Sequence, residues 1–174
     1  RQDVQLVVLG MGEGRYFKLF SWAETEYKGR VAARFTMDHT LAHKIYAGTD
    51  LFLMPSQFEP CGLSQMIAMR YGTVPIVRET GGLRDTVLSY NEFSDEGNGF
   101  TFFNYNAHDM LHTIERAKEY FTNRKDVWKK LQLRGMSGDY SWAHSAREYE
   151  KIYLSLFEKK EPAAEKEEVP NPVV

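Results

Sequence analysis

Glu59, Cys61, Ser64 and Thr80 are the side chains in this sequence whose types and spacing could do chemistry together, and Gly62, Gly81 and Gly82 stand among them. The first cluster runs Gln57-Phe-Glu-Pro-Cys-Gly-Leu63-Ser64 and the second Glu79-Thr-Gly-Gly-Leu83. Glycines remove the Cβ atoms that would keep an anion from the backbone. Helix starts offer unpaired N–H groups and the positive end of a dipole. Hydroxyls such as those of Ser64 and Thr80 add hydrogen bonds. This is chemistry for a phosphate or diphosphate, with Glu59 beside it to touch whatever the phosphate carries. Either loop alone also reads as ordinary turn chemistry; the recurrence of the pattern one loop later favours a site.

The elements around these loops must bring them together. Leu51–Met54 is a short apolar run, the mark of a strand buried on both faces, and Pro55 ends it. A helix follows from Ser64 to Tyr71, with Leu63, Met66, Ile67, Ala68 and Tyr71 as its apolar positions and Gly72 as its stop. Val74–Val77 is a second buried strand, and Gly81-Gly82 opens another helix. Parallel strands joined by helices place both loops at one sheet edge. Glu59, Cys61, Ser64, Thr80, Gly81 and Gly82 are therefore expected to meet in space.

Pro55-Ser-Gln-Phe-Glu-Pro-Cys-Gly-Leu63, Ala68-Met-Arg-Tyr-Gly-Thr-Val-Pro-Ile-Val77 and Thr80-Gly-Gly-Leu-Arg-Asp-Thr-Val87 closely resemble the bacterial glycogen synthase and plant starch synthase family, over about Val4 to Phe157. The resemblance implies the C-terminal, donor-binding half of a two-Rossmann glycosyltransferase-B enzyme. It implies transfer of glucose from ADP-glucose, ahead of UDP-glucose, to the non-reducing end of an α-1,4-glucan, with retained configuration. Glu59 matches the family's acid against the glucose ring. Ser64, Thr80, Gly81, Gly82 and Leu83 match its phosphate side. Cys61, Gly62 and Leu63 belong to the same donor motif, and Met37 stands near the nucleotide base. Many relatives in the wider fold carry a second Glu eight residues after the first; Ile67 is there instead, as in the synthase branch. No cofactor or metal is implied, and the location would be the cytoplasm of a bacterium or a plastid. The family's donor half begins with a further strand and a loop whose Arg and Lys neutralise the phosphates, and the acceptor site lies on the other half. Both are expected to precede Arg1, leaving the first, central strand of a doubly wound α/β sheet vacant between Val4–Gly10 and Leu51–Met54. This chain by itself is then expected to transfer no glucose.

The remaining residues fit one domain over 1–157. Hydrophobic content of 43%, charged content of 26% and a net charge of −2 are globular values that give no reason to expect nucleic acid or membrane as partner. One cysteine excludes an internal disulfide, no run approaches a membrane span, and there is no signal-peptide pattern or internal repeat. Val4–Gly10 reads as a buried strand and Arg15–Glu26 as a helix. Gly10, Gly12 and Gly14 do not make a dinucleotide fingerprint, because its third glycine falls on Arg15 and no acid follows in Val31–Thr36. Val31–Thr36 is the second strand and His39–Ala47 a helix capped by Asp38 or Thr40; His39 and His43 lack a third ligand and read as surface residues. Helices are expected over Asn106–Thr122, Asp126–Met136 and from Ser141 to Phe157, after a loop at 87–99 and a strand at Phe100–Phe103. The stripe Trp142, Tyr149, Tyr153 reads as core ahead of a sugar platform, and Glu158–Val174 as a disordered tail. Two other readings stay open. One is a nucleotide-sugar-binding module without catalysis. The other is a flavodoxin-like interaction domain in which the first and third strands pair directly.

Overall fold

Each apolar run becomes a strand, and the strands pair in parallel. In the computed structural model, which describes residues 3–157, β1 (Leu6–Leu9) pairs with β2 (Val31–Arg34), and β3 (Leu51–Met54), β4 (Val74–Arg78) and β5 (Phe100–Phe102) form a second ladder in the order β3-β4-β5. Helices connect them: α1 (Gly14–Glu26), α2 (His39–Gly48), α3 (Ser64–Arg70) and α4 (Gly81–Thr86), then α5 (Ala107–Asn123), α6 (Lys125–Ser137) and α7 (Trp142–Phe157). The chain divides into two compact units, Arg1–Gly138 and Asp139–Val174, so α7 of the expected 1–157 domain falls in the second. Among the described residues β1 and β3 share no ladder. That excludes the flavodoxin-like order, which needs them paired, and agrees with an unfilled strand place between them.

Period-two alternation along β4 explains the core. Val74 and Ile76 face Phe100, Ala117, Tyr120, Val127, Trp128 and Leu131, whereas Val77 faces Met69, Leu83 and Val87 on the opposite side. Both faces of the sheet are therefore covered, α5 and α6 on one and α3 and α4 on the other. Each large side chain buried here contributes about 1.5–3 kcal/mol. A proline in this central strand is tolerated for a local reason. The Val74 N–H bonds Asp50 on the β3 side, so the missing donor of Pro75 falls on the β5 side. There Gly99 precedes the first paired residue, and a Cβ on Gly99 would lie 2.8 Å from Pro75 Cγ.

Three expectations from the sequence are corrected. β1 is not a buried strand: Leu6 is 40% and Val7 45% exposed, because α1 packs on β2 and not on β1, which among the described residues has a strand partner on one edge only. The buried face of α3 is Gln65, Ala68 and Met69, not the stripe from Leu63 to Tyr71; Leu63 and Tyr71 are exposed. Within the second unit, Ser141 Oγ accepts from the His144 N–H as the expected cap of α7, but Trp142, Tyr149 and Tyr153 are exposed and not core. The expected tail 158–174 lies outside the described residues.

One carboxylate ties the 87–99 segment, between α4 and β5, to α6. Asp95, with φ 52°, accepts from Lys130 Nζ at 2.8 Å and Tyr90 Oη at 3.2 Å and pairs with Arg134 at 3.3 Å. The Lys130 hydrogen bond leads the causes that hold its carboxyl below the usual range. A group lowered in the folded state contributes stability above its unfolded pKa and loses it as pH falls through the folded value. Asp95→Asn, which keeps a residue type tolerant of positive φ, is therefore expected to lower the urea midpoint near pH 7. The gap from the parent should close as pH falls below the reference carboxylate pKa of about 3.9 and on through the lower folded value. A gap independent of pH would contradict the assignment.

Candidate functional site

The 55–63 loop leaves β3 at its carboxyl end and lies against the start of α4. The Gly82 N–H donates to Pro60 O at 3.1 Å, and Arg78 Nη1 holds Gln57 O at 2.7 Å. Gly81 and Gly82 make the approach possible: a Cβ on Gly81 would overlap the Glu59 carbonyl, and one on Gly82 would lie 2.6 Å from Cys61 Cα. Gly62 has φ +73°, and a Cβ there would meet Gln65 Oε1 at 2.5 Å. Glu59, Cys61, Gly62, Thr80, Gly81 and Gly82 are thus brought together as expected, with Ser64 opening α3 beside them.

Several groups at this junction are unengaged. The half-buried Glu59 carboxylate has no hydrogen-bond or ion-pair partner among the described residues, and neither do the hydroxyls of Ser64 and Thr80. Leu63 caps α3 through its backbone only, so the N–H groups of Ser64, Gln65 and Met66 are without protein acceptors among the described residues. Cys61 is exposed, its Sγ in a weak 3.8 Å contact with Gly62 O. No group of three or more metal-ligating side chains occurs among the described residues; His43 instead meets the Tyr71 hydroxyl at 3.0 Å.

The second helix start offers less than the sequence suggests. Its Gly82 N–H is taken by Pro60 O and its Leu83 N–H by Thr80 O, and the Leu83 side chain is fully buried in the core. Leu83 therefore serves packing, and of the Gly81–Leu83 triplet Gly81 alone keeps its N–H without an acceptor among the described residues. The docked first loop takes the Gly82 N–H, and the first turn of α4 takes that of Leu83. Met37, 74% exposed on the loop after β2, has no hydrogen bond tying its side chain to these segments among the described residues.

Sequence reasoning passed over two residues. Arg78 ends β4 and holds both Gln57 O and Phe103 O, placing a cation at the loops but committing it to carbonyls. Gln65 is fully buried, with Nε2 donating to Gly62 O and Thr86 Oγ1. A polar residue on the buried face of an apolar helix was the available signal for Gln65; shifting the helix face by one residue hid it.

A parallel α/β unit whose loops converge at the carboxyl edge, bringing hydroxyls, N–H groups and a carboxylate unengaged among the described residues, has the architecture of the doubly wound class, in which ligands bind at that edge. The chain belongs to the family described as glycosyl transferases group 1, which it matches over residues 1–130. It is similar to the glycogen synthase of Geobacillus thermodenitrificans, 58% identical over 160 residues that cover 92% of this chain and 33% of that protein. It is similar too to the glycogen synthase of Clostridium novyi, at 56% identity over 91% of this chain and 33% of that protein. The chain thus spans about a third of the length of these curated relatives. Among solved structures, the catalytic domain of starch synthase IV from Arabidopsis thaliana, bound to ADP and acarbose, is 31% identical, with TM-score 0.75 over 89% of this chain and 39% of that one. The expected kinship with glycogen and starch synthases holds. Anabaena HepE in complex with UDP-glucose, at 20% identity and TM-score 0.63 over 89% of this chain and 42% of that one, shares the fold.

Proposed function

We propose that this chain is the donor-binding part of a retaining glucosyltransferase that moves glucose from ADP-glucose to the non-reducing end of an α-1,4-glucan. The observation that carries the reading is the docking of the 59–62 loop on Gly81 and Gly82, which gathers Glu59, Ser64 and Thr80 with no partner among the described residues for their polar side-chain atoms. In this reading the Ser64 and Thr80 hydroxyls, the Gly81 N–H and the open N–H groups at the start of α3 face the diphosphate. Glu59 lies against the glucose. The bond that breaks joins the anomeric carbon to a β-phosphate oxygen, so negative charge grows on the diphosphate and positive character on the ring. Preorganised donors stabilise the first and a carboxylate the second. Cys61, Gly62 and Leu63 shape the loop, Leu83 anchors α4, and Met37 borders the base. ADP is favoured as the nucleotide by the synthase relatives, one of which has been solved with ADP. Residues for the glucan and further positive charge for the phosphates are assigned to the rest of a protein as long as those relatives.

The test is made on the full-length protein. Labelled glucose should pass from ADP-glucose to glycogen, with UDP-glucose the poorer donor. ADP should slow alkylation of Cys61, the single cysteine of this chain. Absence of transfer from both donors would overturn the reading. Equal alkylation rates with and without ADP would remove Cys61 from the site.

A further inference from the structure

We propose that Gln65 is a positioning residue for this transfer, a buried latch that fixes the Glu59–Gly62 segment against α4 and thereby sets where Glu59 stands. The proposal rests on the donor-site reading above. Gln65 is 0% exposed on the buried face of α3. Its Nε2 donates to Gly62 O at 2.8 Å and to Thr86 Oγ1 at 3.0 Å, with a longer contact to Cys61 O at 3.3 Å. Thr86 Oγ1 donates in turn to Gly82 O at 2.7 Å, and the Gly82 N–H donates to Pro60 O at 3.1 Å. These bonds close a ring from the first loop through α3 and α4 back to the first loop. Glu59 has no side-chain bond of its own among the described residues, so its place is fixed by the backbone that this ring holds.

The other half of the amide shows what the residue is for. Gln65 Oε1 is buried with no hydrogen-bond partner among the described residues, and it lies where a Cβ on Gly62 would go. A buried acceptor without a donor destabilises the fold. An apolar side chain of the same length would fill the space without that penalty. What the amide contributes is therefore its donated bonds and the loop position they impose. The opposite amide orientation is ruled out by the same neighbours, because it would set Oε1 against the carbonyl oxygen of Gly62. Small displacements of a reacting or charge-stabilising group lower rates far more than they lower affinity.

In the full-length protein, Gln65→Met is expected to lower kcat tenfold or more while the KM for ADP-glucose stays within about threefold. Hydrogen exchange at the Gly82 amide should speed up about tenfold or more, with the ladder amides of Ile76 and Phe100 unchanged. Thr86→Val breaks the same ring from α4 and should act in the same direction. The double variant should be no worse than the more severe single one, because both remove one linked network. Unchanged kcat in Gln65→Met, or a loss that only tracks the folded fraction, would overturn the proposal. So would unaltered exchange at Gly82 in both single variants. If the parent protein transfers no glucose from ADP- or UDP-glucose, the donor-site reading fails, and the exchange measurement still decides whether the latch exists.

Discussion

Glu59→Gln in the full-length protein is expected to lose about a hundredfold or more in turnover while ADP binding changes little. The loss corresponds to about 3 kcal/mol, the usual size of one electrostatic partner that acts in the transition state. The substitution keeps shape and removes charge. Because the carboxylate has no partner among the described residues, no structural bond is lost with it, and stability should stay within about 0.5 kcal/mol of the parent. The split between binding and turnover follows from the division of labour proposed for the junction: hydroxyls and N–H groups for the diphosphate, the carboxylate for the sugar. Initial-rate kinetics together with calorimetric titration of ADP check it. Near-normal turnover would sink the assignment of Glu59, and a parallel loss of ADP affinity would move Glu59 to the phosphate side.

The convergence of the two loops was legible because it depends on topology. Two apolar runs separated by a helix, each followed by glycines, leave few ways to place the loops apart once the strands are parallel. The buried strand at Val74–Val77 was legible despite Pro75, since the run is apolar at every position and all four residues are buried. Less legible was anything set by one strand edge or one hydrogen bond. β1 has the composition of an interior strand, but exposure depends on what packs over its faces and beside its second edge, which composition does not encode. The face of α3 was misread because Gln65 is buried for its hydrogen bonds and not for its hydrophobicity, so a count of apolar positions turns the helix by one residue. Likewise the N–H groups of Gly82 and Leu83 look free in the sequence, and only the docked loop and the first turn of α4 show where they go. The place of Met37 beside the base rests on resemblance alone, its side chain being exposed.

Gly82→Ala should show how far the site depends on that docking. Gly82 is buried, and its added Cβ would overlap the Cys61 carbonyl and stand 2.6 Å from Cys61 Cα and 2.7 Å from the Cys61 carbonyl carbon. All of these are backbone atoms, so no flexible side chain can swing aside. The 59–62 loop or the start of α4 must shift instead. Forcing a methyl group into such a place costs about 1–3 kcal/mol, and losing the Gly82–Pro60 hydrogen bond adds about 1 kcal/mol. The expected total of about 2–4 kcal/mol should lower Tm by roughly 5–15 °C for a domain of this size. Turnover should fall beyond the loss of folded protein, because the same shift moves Glu59. Gly48→Ala is the control: nothing lies within 4 Å of its Cβ position at the end of α2, and the change should be neutral or stabilising by a few tenths of a kcal/mol. Thermal melts and initial rates on both variants separate the cases. A Gly82→Ala protein with the parent's Tm would mean that the loop does not rest on α4 in solution. A destabilised protein with normal turnover per folded molecule would mean that the docking supports the fold but does not place the catalytic carboxylate.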